Sequence, residues 1–299
     1  MALAIDTLTN KSQGPGPMTA LRRRVFNHYG LLFGGSALFV IIAVAIFAPL
    51  FLSHDSYTQD LVARMQPPFW MAGSDPSHVL GTDHLGRDYL ARLVYGARIS
   101  LAIGLIAAII SGLIGTAMGV AAGYFGGRVD LAVTFMVNVR LAMPVVLVAL
   151  AVVAIFGGSL QVVIIVLGLL LWDRFAIVMR SSTLEIRNLE YVNAAKAIGC
   201  STSRIILSEI MPNVVNKLIV VMTLEMAHAI LLEAALSFLG LGVQPPTPSW
   251  GLMISEAKQM MLFKPWLIAI PGLALFILVL AINLMGDGLR DITAPENRN

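Results

Sequence analysis

Glu225, His228 and Glu233 are three ionisable side chains inside an otherwise apolar run. Helical geometry puts all three near one face. Charge is costly in lipid, so such groups face a bundle interior or a cavity. Two chemistries fit: a proton relay or solute contact, or a satisfied polar cluster at a subunit interface. The cluster reading is preferred, because three groups on one helix make a thin relay and Glu233 should lie near the outer surface. A second set, His78, Asp83, His84 and Asp88, carries metal-type donors, but without tight ligand spacing. Gly81 and Gly86 mark turns there, Asp83 suits a turn cap, and Arg87 suits a carboxylate. No metal site is expected. The chain has no Walker A loop, Gly-x-Ser-x-Gly or His-Glu-x-x-His pattern, so no catalytic residue, cofactor or enzymatic activity is expected in it. The single cysteine, Cys200, has no disulfide partner in the chain and no ligand cluster around it.

These residues must be positioned by membrane helices. Of 299 residues, 58% are hydrophobic and only 12% charged, against about 25% charged in a soluble domain. Apolar runs of spanning length predict a polytopic membrane protein. In lipid only helices or closed barrels satisfy the backbone, and continuous rather than alternating runs select helices. The fold expected is all-α with six transmembrane helices: 31–52, 99–124, 131–156, 160–179, 214–236 and 266–285. Arg22, Arg23 and Arg24 precede the first span, which reads as an uncleaved anchor because no cleavage site follows.

Lys and Arg set the orientation. With the N-terminus inside, fourteen of the twenty fall inside; Arg64, Arg87, Arg92, Arg98, Lys258 and Lys264 fall outside. Both termini and the polar segment from Glu190 to Asn213 are therefore expected to be cytoplasmic. This distribution accounts for the net charge of +3, and no nucleic-acid partner is implied. Residues 1–30 form a cytoplasmic tail whose first 18 residues are expected to be disordered. Residues 53–97 form a small outer cap, and residues 293–299 a second cytoplasmic tail.

The segment Glu190–Asn213 reads as two short helices joined at Gly199, a natural helix terminator. Pro212 suits the start of the next span. Ala194, Ala195 and Ala197 would let another protein surface approach closely. In the second span, Ser111, Gly115, Gly119 and Gly123 recur every four residues, with Ala107 extending the stripe. Such small residues receive a neighbouring helix, and packing within the bundle is the expected role.

The island's spacing resembles the EAA loop of ABC importer permeases: Ala194, Ala195, Gly199 and Pro212 fall in register, whereas Asn193, Glu209 and Met211 stand where Glu, Ile and Leu are usual. The segment His78-Val-Leu-Gly-Thr-Asp-His-Leu-Gly-Arg-Asp88, continued by Tyr95 to Leu101, is similar to a signature of the dipeptide/oligopeptide/nickel permease family, "C"-type subunit. So are the stretch from Ala235 to Gly251 and Gly286-Asp-Gly-Leu-Arg-Asp291. Ala294 replaces an expected Asp before Pro295. Phe135 and Asn138 stand where the family tends to have an Arg and an Asp.

The resemblance implies a type I ABC importer transmembrane domain. Its core would be residues 98–292, with a coupling loop at 180–213 that includes Asn193, Ala194, Ala195, Lys196, Gly199 and Pro212. Implied partners are a homologous second permease, two cytosolic ATPase subunits carrying ATP and Mg, and a periplasmic or lipid-anchored binding protein, all at a bacterial inner membrane. Di- or oligopeptides are the implied solutes; nickel, glutathione, oligosaccharides and opines are alternatives. A rival class is a proton-coupled secondary transporter using Glu225 and His228.

Overall fold

The computed structural model describes residues 25–50 and 52–293. The expected N-terminal tail up to Arg24, and Ala294, Pro295 and Arg298 of the C-terminal tail, lie outside them. Among the described residues the chain is helical, with one isolated β-bridge between Thr82 and Asp88. Five helical runs are long and apolar enough to cross a bilayer: 29–50, 89–125, 160–186, 202–238 and 266–293. A sixth passes that test only as a bent pair.

Helix α1 (Tyr29–Phe47) ends in a 3-10 turn. Helix α2 (Tyr89–Phe125) begins ten residues before the expected span. Its start is set by Asp88, whose carboxylate accepts the N–H of Ala91 at 2.7 Å and holds His78 at 2.8 Å. Arg92 and Arg98 do not bar the helix from these positions. Arg92 is neutralised within the cap, and Arg98 donates to the carbonyls of Ala45 and Ile46 at the end of α1.

The third expected span is broken. Helix α3 (Gly127–Ala142) and helix α4 (Val145–Phe156) meet at 84° across Met143 and Pro144. Proline disfavours the helical conformation in the residue before it, and Met143 is extended there. The fourth run is interrupted too, between α5 (Leu160–Leu170) and α6 (Trp172–Ile186).

The island differs from two short surface helices. Helix α7 (Glu190–Ala197) is short, but the second half joins the next span. A turn at Thr202–Arg204, a π segment at Ile205–Ile210 and helix α8 (Met211–Phe238) form one continuous run. Pro212 explains the π turns: it has no N–H and its ring crowds the carbonyl four residues back, so the preceding turns widen. The N–H of Met211 accordingly reaches the carbonyl of Ile206. Helices α9 (Trp250–Ala257) and α10 (Trp266–Thr293) complete the chain.

Helices α2, α6 and α8 form the centre, with α1 and α10 packed alongside. At one end, residues 52–88 and α9 form a cap sewn by buried charge. Arg87 Nε meets Asp83 Oδ2 at 2.6 Å, Arg92 Nη1 meets Glu256 Oε2 at 2.7 Å, and Arg92 also binds Asp83. Burial pushes the Asp83 carboxyl up, but the guanidiniums of Arg92 and Arg87 outweigh it and hold it below its ordinary value. The indole N–H of Trp250 donates to the Leu93 carbonyl at 2.8 Å, tying α9 to α2.

Candidate functional site

The island forms the other end of the bundle. Val192 is fully buried on α7 against Ile205, Ile210 and Val214, and Ala195 is half-buried on the same cluster. Asn193, Ala194 and Ala197 are exposed. Ile198 follows, with 80% of its surface exposed. Gly199 then turns the chain with φ +79°, and the place where a Cβ would stand is open; the positive φ suits glycine. The N–H of Cys200 donates to the Ala195 carbonyl and that of Gly199 to Lys196. Asn193 donates to the Asn188 carbonyl, and Lys196 folds back to the Arg187 carbonyl at 3.2 Å. Pro212 is exposed near the start of α8. The outward surface is thus a short helix of small residues ending in an exposed isoleucine.

The small-residue stripe packs the end of α5 and then α6 onto α2. Ser111 donates to the Gly168 carbonyl at 2.8 Å. A Cβ on Gly115 would strike the Trp172 carbonyl; one on Gly119 would lie 2.5 Å from the Ala176 carbonyl, and one on Gly123 2.6 Å from Thr183 Cβ. Only hydrogen fits at these crossings.

The three groups of the fifth span divide into two clusters. Glu233 is fully buried and accepts the hydroxyls of Ser237 and Ser249 at 2.7 and 2.8 Å, so it ties α8 to the start of α9. Glu225 faces elsewhere: His228 Nδ1 lies 3.3 Å from Oε2, and Arg174 Nε lies 3.3 Å from Oε1. A single continuous relay along α8 is not what this geometry builds.

The partner of Glu225 is a residue that reading α8 alone does not find. Asp173 and Arg174 fall inside the fourth expected span, and a charged pair within an apolar run is the signal for them. Arg140 Nη2 lies 3.5 Å from Asp173 Oδ1, and its Nε donates to the Leu170 carbonyl at 2.6 Å. That carbonyl sits where the helix breaks, so the cation satisfies an orphaned helix end. Asp130 binds Arg180. Phe135 and Asn138, on the same helix, are exposed.

The metal-type donors gather at the cap in two groups, His54, His78 and Asp88 and then Asp83, His84 and Glu256. Within each group the ligand atoms lie within 4.8 Å of one another, and several of them also serve other contacts. Asp83 and Glu256 bind Arg87 and Arg92, and Asp88 caps α2 while holding His78. An apolar groove of about 410 Å³ lies between α2 and the π segment, lined by residues such as Leu113, Ala117, Leu207 and Met222. It is away from the charged residues, and Thr116 is its only polar side chain.

Comparison with known proteins agrees with this architecture. Residues 115–299 match the family described as binding-protein-dependent transport system inner membrane component. Residues 17–68 match the N-terminal TM domain of oligopeptide transport permease C. The chain is 38% identical to the di/tripeptide transport system permease protein DppC of Pseudomonas aeruginosa, over 95% of this chain and 94% of that one. It is 40% identical to the dipeptide transport system permease protein DppC of Escherichia coli, over 94% and 95% of the two chains. The fold is similar to a chain of the MetNI methionine ABC transporter in an inward-facing conformation, with TM-score 0.57, 19% identity, and coverage of 68% of this chain and 97% of that one. On the long apolar helices and these matches together, the chain belongs to the binding-protein-dependent transport system inner membrane component family and is a multi-pass permease subunit of an ABC importer.

Proposed function

We propose that this permease subunit forms half of a translocation pathway for di- or oligopeptides and works by alternating access. Peptide is the favoured solute because the relatives with 38% and 40% identity are named as di/tripeptide and dipeptide permeases. In this reading the subunit pairs with a homologous second permease and with two cytosolic ATPases, which hold ATP and Mg. A periplasmic or lipid-anchored binding protein delivers solute at the cap. The island and both termini are cytoplasmic, as the Lys and Arg distribution suggests.

The observation that carries the coupling role is the outward face of α7. Asn193, Ala194 and Ala197 are exposed beside Ile198, an apolar side chain left in the open at the tip of the bundle. Small residues permit close approach, and an exposed isoleucine supplies apolar area for a partner to bury. Closure of the ATPase pair would move α7. The π segment and α8 carry that motion into the membrane without a loop between them. Nucleotide shifts such an equilibrium only through contacts that differ between the two states, and α7 is where those contacts are placed.

The test is a mild-detergent pull-down of tagged protein expressed with its neighbouring genes, read by mass spectrometry. Recovery of a second permease and ATPase subunits is expected. A homogeneous homo-oligomer without ATPase would overturn the assembly. Import of dialanine by the purified complex in proteoliposomes then tests the solute class.

A further inference from the structure

We propose that Arg174, Glu225 and His228 form a solute-contact site at mid-depth in the pathway, where Arg174 receives a carboxylate of the passing solute. The ligand class rests on the peptide reading above; the placement rests on geometry.

Depth comes first. Gly104 of α2 packs on Met226 and Ile230, and Gly112 packs on Phe175. The Arg174–Glu225 pair is therefore level with the middle of α2, about 27 Å from either end at 1.5 Å per residue. That is well inside a hydrocarbon layer about 30 Å thick.

Exposure comes second. Glu225 is 1% exposed, whereas the Arg174 side chain is 61% exposed and His228 34%. An arginine open to its surroundings at this depth is not stable against lipid, so its open side faces a water-filled or protein-lined space. Glu225 sets the guanidinium in place but holds it loosely. The contact is 3.3 Å, and Glu225 Oε1 has no hydrogen-bond partner. Among the described residues the ion-pair partner of Arg174 is Glu225, which leaves most of its five N–H donors available. A planar fork of this kind suits a carboxylate.

Broken helices come third. Residue Arg174 lies in the first turn of α6, just after the interruption at Leu171, and Arg140 closes that interruption from near the α3–α4 bend. Irregular backbone at membrane depth is tolerated where it is buried in protein or lines a cavity. The Arg140–Asp173 pair is largely buried; its neighbour Arg174 is open. One ion pair braces the break, and the other presents a charge. A short peptide carries a terminal carboxylate for Arg174 and a terminal ammonium for the partly exposed imidazole of His228, with the buried Glu225 carboxylate behind both side chains.

The test uses the whole transporter, co-expressed with its partner subunits and reconstituted in proteoliposomes with binding protein and radiolabelled dialanine. Arg174→Gln is expected to slow import at least five-fold, with second permease and ATPases still co-purifying, and Arg174→Lys to restore a substantial part of the rate. In a Cys200→Ser background, Arg174→Cys should react with a charged, membrane-impermeant thiol reagent and be shielded by dialanine with binding protein. Phe276→Cys, at an exposed apolar position of α10, should not react. Wild-type import of dialanine with Arg174→Gln importing at the same rate would overturn the site. Loss of the second permease from Arg174→Gln would reassign Arg174 to the subunit interface and also overturn it. Failure of the wild type to import dialanine would instead overturn the peptide reading and the ligand class with it.

Discussion

The two ends of this bundle are built on opposite principles. At the cap, four charges neutralise one another, three of them buried: Asp83 and Arg87 before α2, Arg92 in its first turn, and the partly buried Glu256 on α9. At the island, α7 is anchored chiefly by Val192, and Asn193, Ala194, Ala197 and Ile198 stand open. Polar groups buried together fix one arrangement, and their loss is costly. A short helix with little buried area is free to exchange its own contacts for those of a partner. The cap therefore holds shape, and the island offers surface.

The comparison breaks most severely at Arg92. Arg92→Ala leaves Asp83 and Glu256 less compensated in a nearly dry site, and breaking a buried pair costs about 3–5 kcal/mol. A large drop in the thermal unfolding midpoint in detergent is expected. A midpoint near that of the wild type would mean that water reaches the site and that the cap is not closed. Acid attacks the same contacts. Asp83 has a lowered pKa in the folded protein, so its contribution is present above the ordinary carboxylate value and is lost as pH falls through the lowered one. Hydrogen exchange across residues 52–88 should stay slow down to pH about 4 and quicken below it. Quickening near pH 6 would count against this role for Asp83.

A smaller loss is expected where α6 crosses α2, between the two ends. Gly119→Ala puts a methyl 2.5 Å from the Ala176 carbonyl, whereas Gly112→Ala meets the Phe175 ring at 3.3 Å. Forcing backbones apart costs about 1–3 kcal/mol; an aromatic ring yields more cheaply. Unfolding midpoints should rank wild type, Gly112→Ala, then Gly119→Ala. Equal midpoints would show that the crossing is slack. At the island, Gly199→Ala meets no neighbour and pays only for its left-handed backbone, about 1–2 kcal/mol. Because α7 contributes little to the core, that cost should appear as local fraying in hydrogen exchange at residues 190–200 rather than as a lower midpoint.

How far the sequence revealed this molecule depended on whether its signals were local. The small-residue stripe at Ser111, Gly115, Gly119 and Gly123 is visible because one helix face carries it, and the structure puts it at a helix crossing. Long apolar runs gave the spans. Their ends were less legible: hydropathy alone stops α2 near Ile99, because it cannot show that Arg92 finds Asp83 and Glu256 from distant segments. The third span reads as one because its apolar content is continuous, while Pro144 bends it. Glu225 and Glu233 share a helix and look like one cluster; Ser249 and Arg174, remote in sequence, separate them. Pairings between elements stay hidden in a linear pattern, and these set the candidate site.

The smallest stability effect should accompany the largest functional one. Ala194→Asp places a carboxylate on the exposed face of α7, where it touches none of the buried cluster around Val192. Surface substitutions of this kind change stability by no more than about 0.5 kcal/mol. A docked ATPase surface, by contrast, would have to bury that charge against its own groove, and an unpaired buried carboxylate is strongly disfavoured. The variant should insert, unfold at the wild-type midpoint and retain the second permease, yet lose the ATPase subunits in a mild-detergent pull-down. Retention of the ATPases would place the coupling surface elsewhere on the molecule. A lowered midpoint would show instead that α7 is bound into the core as firmly as the cap, and the contrast between the two ends would disappear.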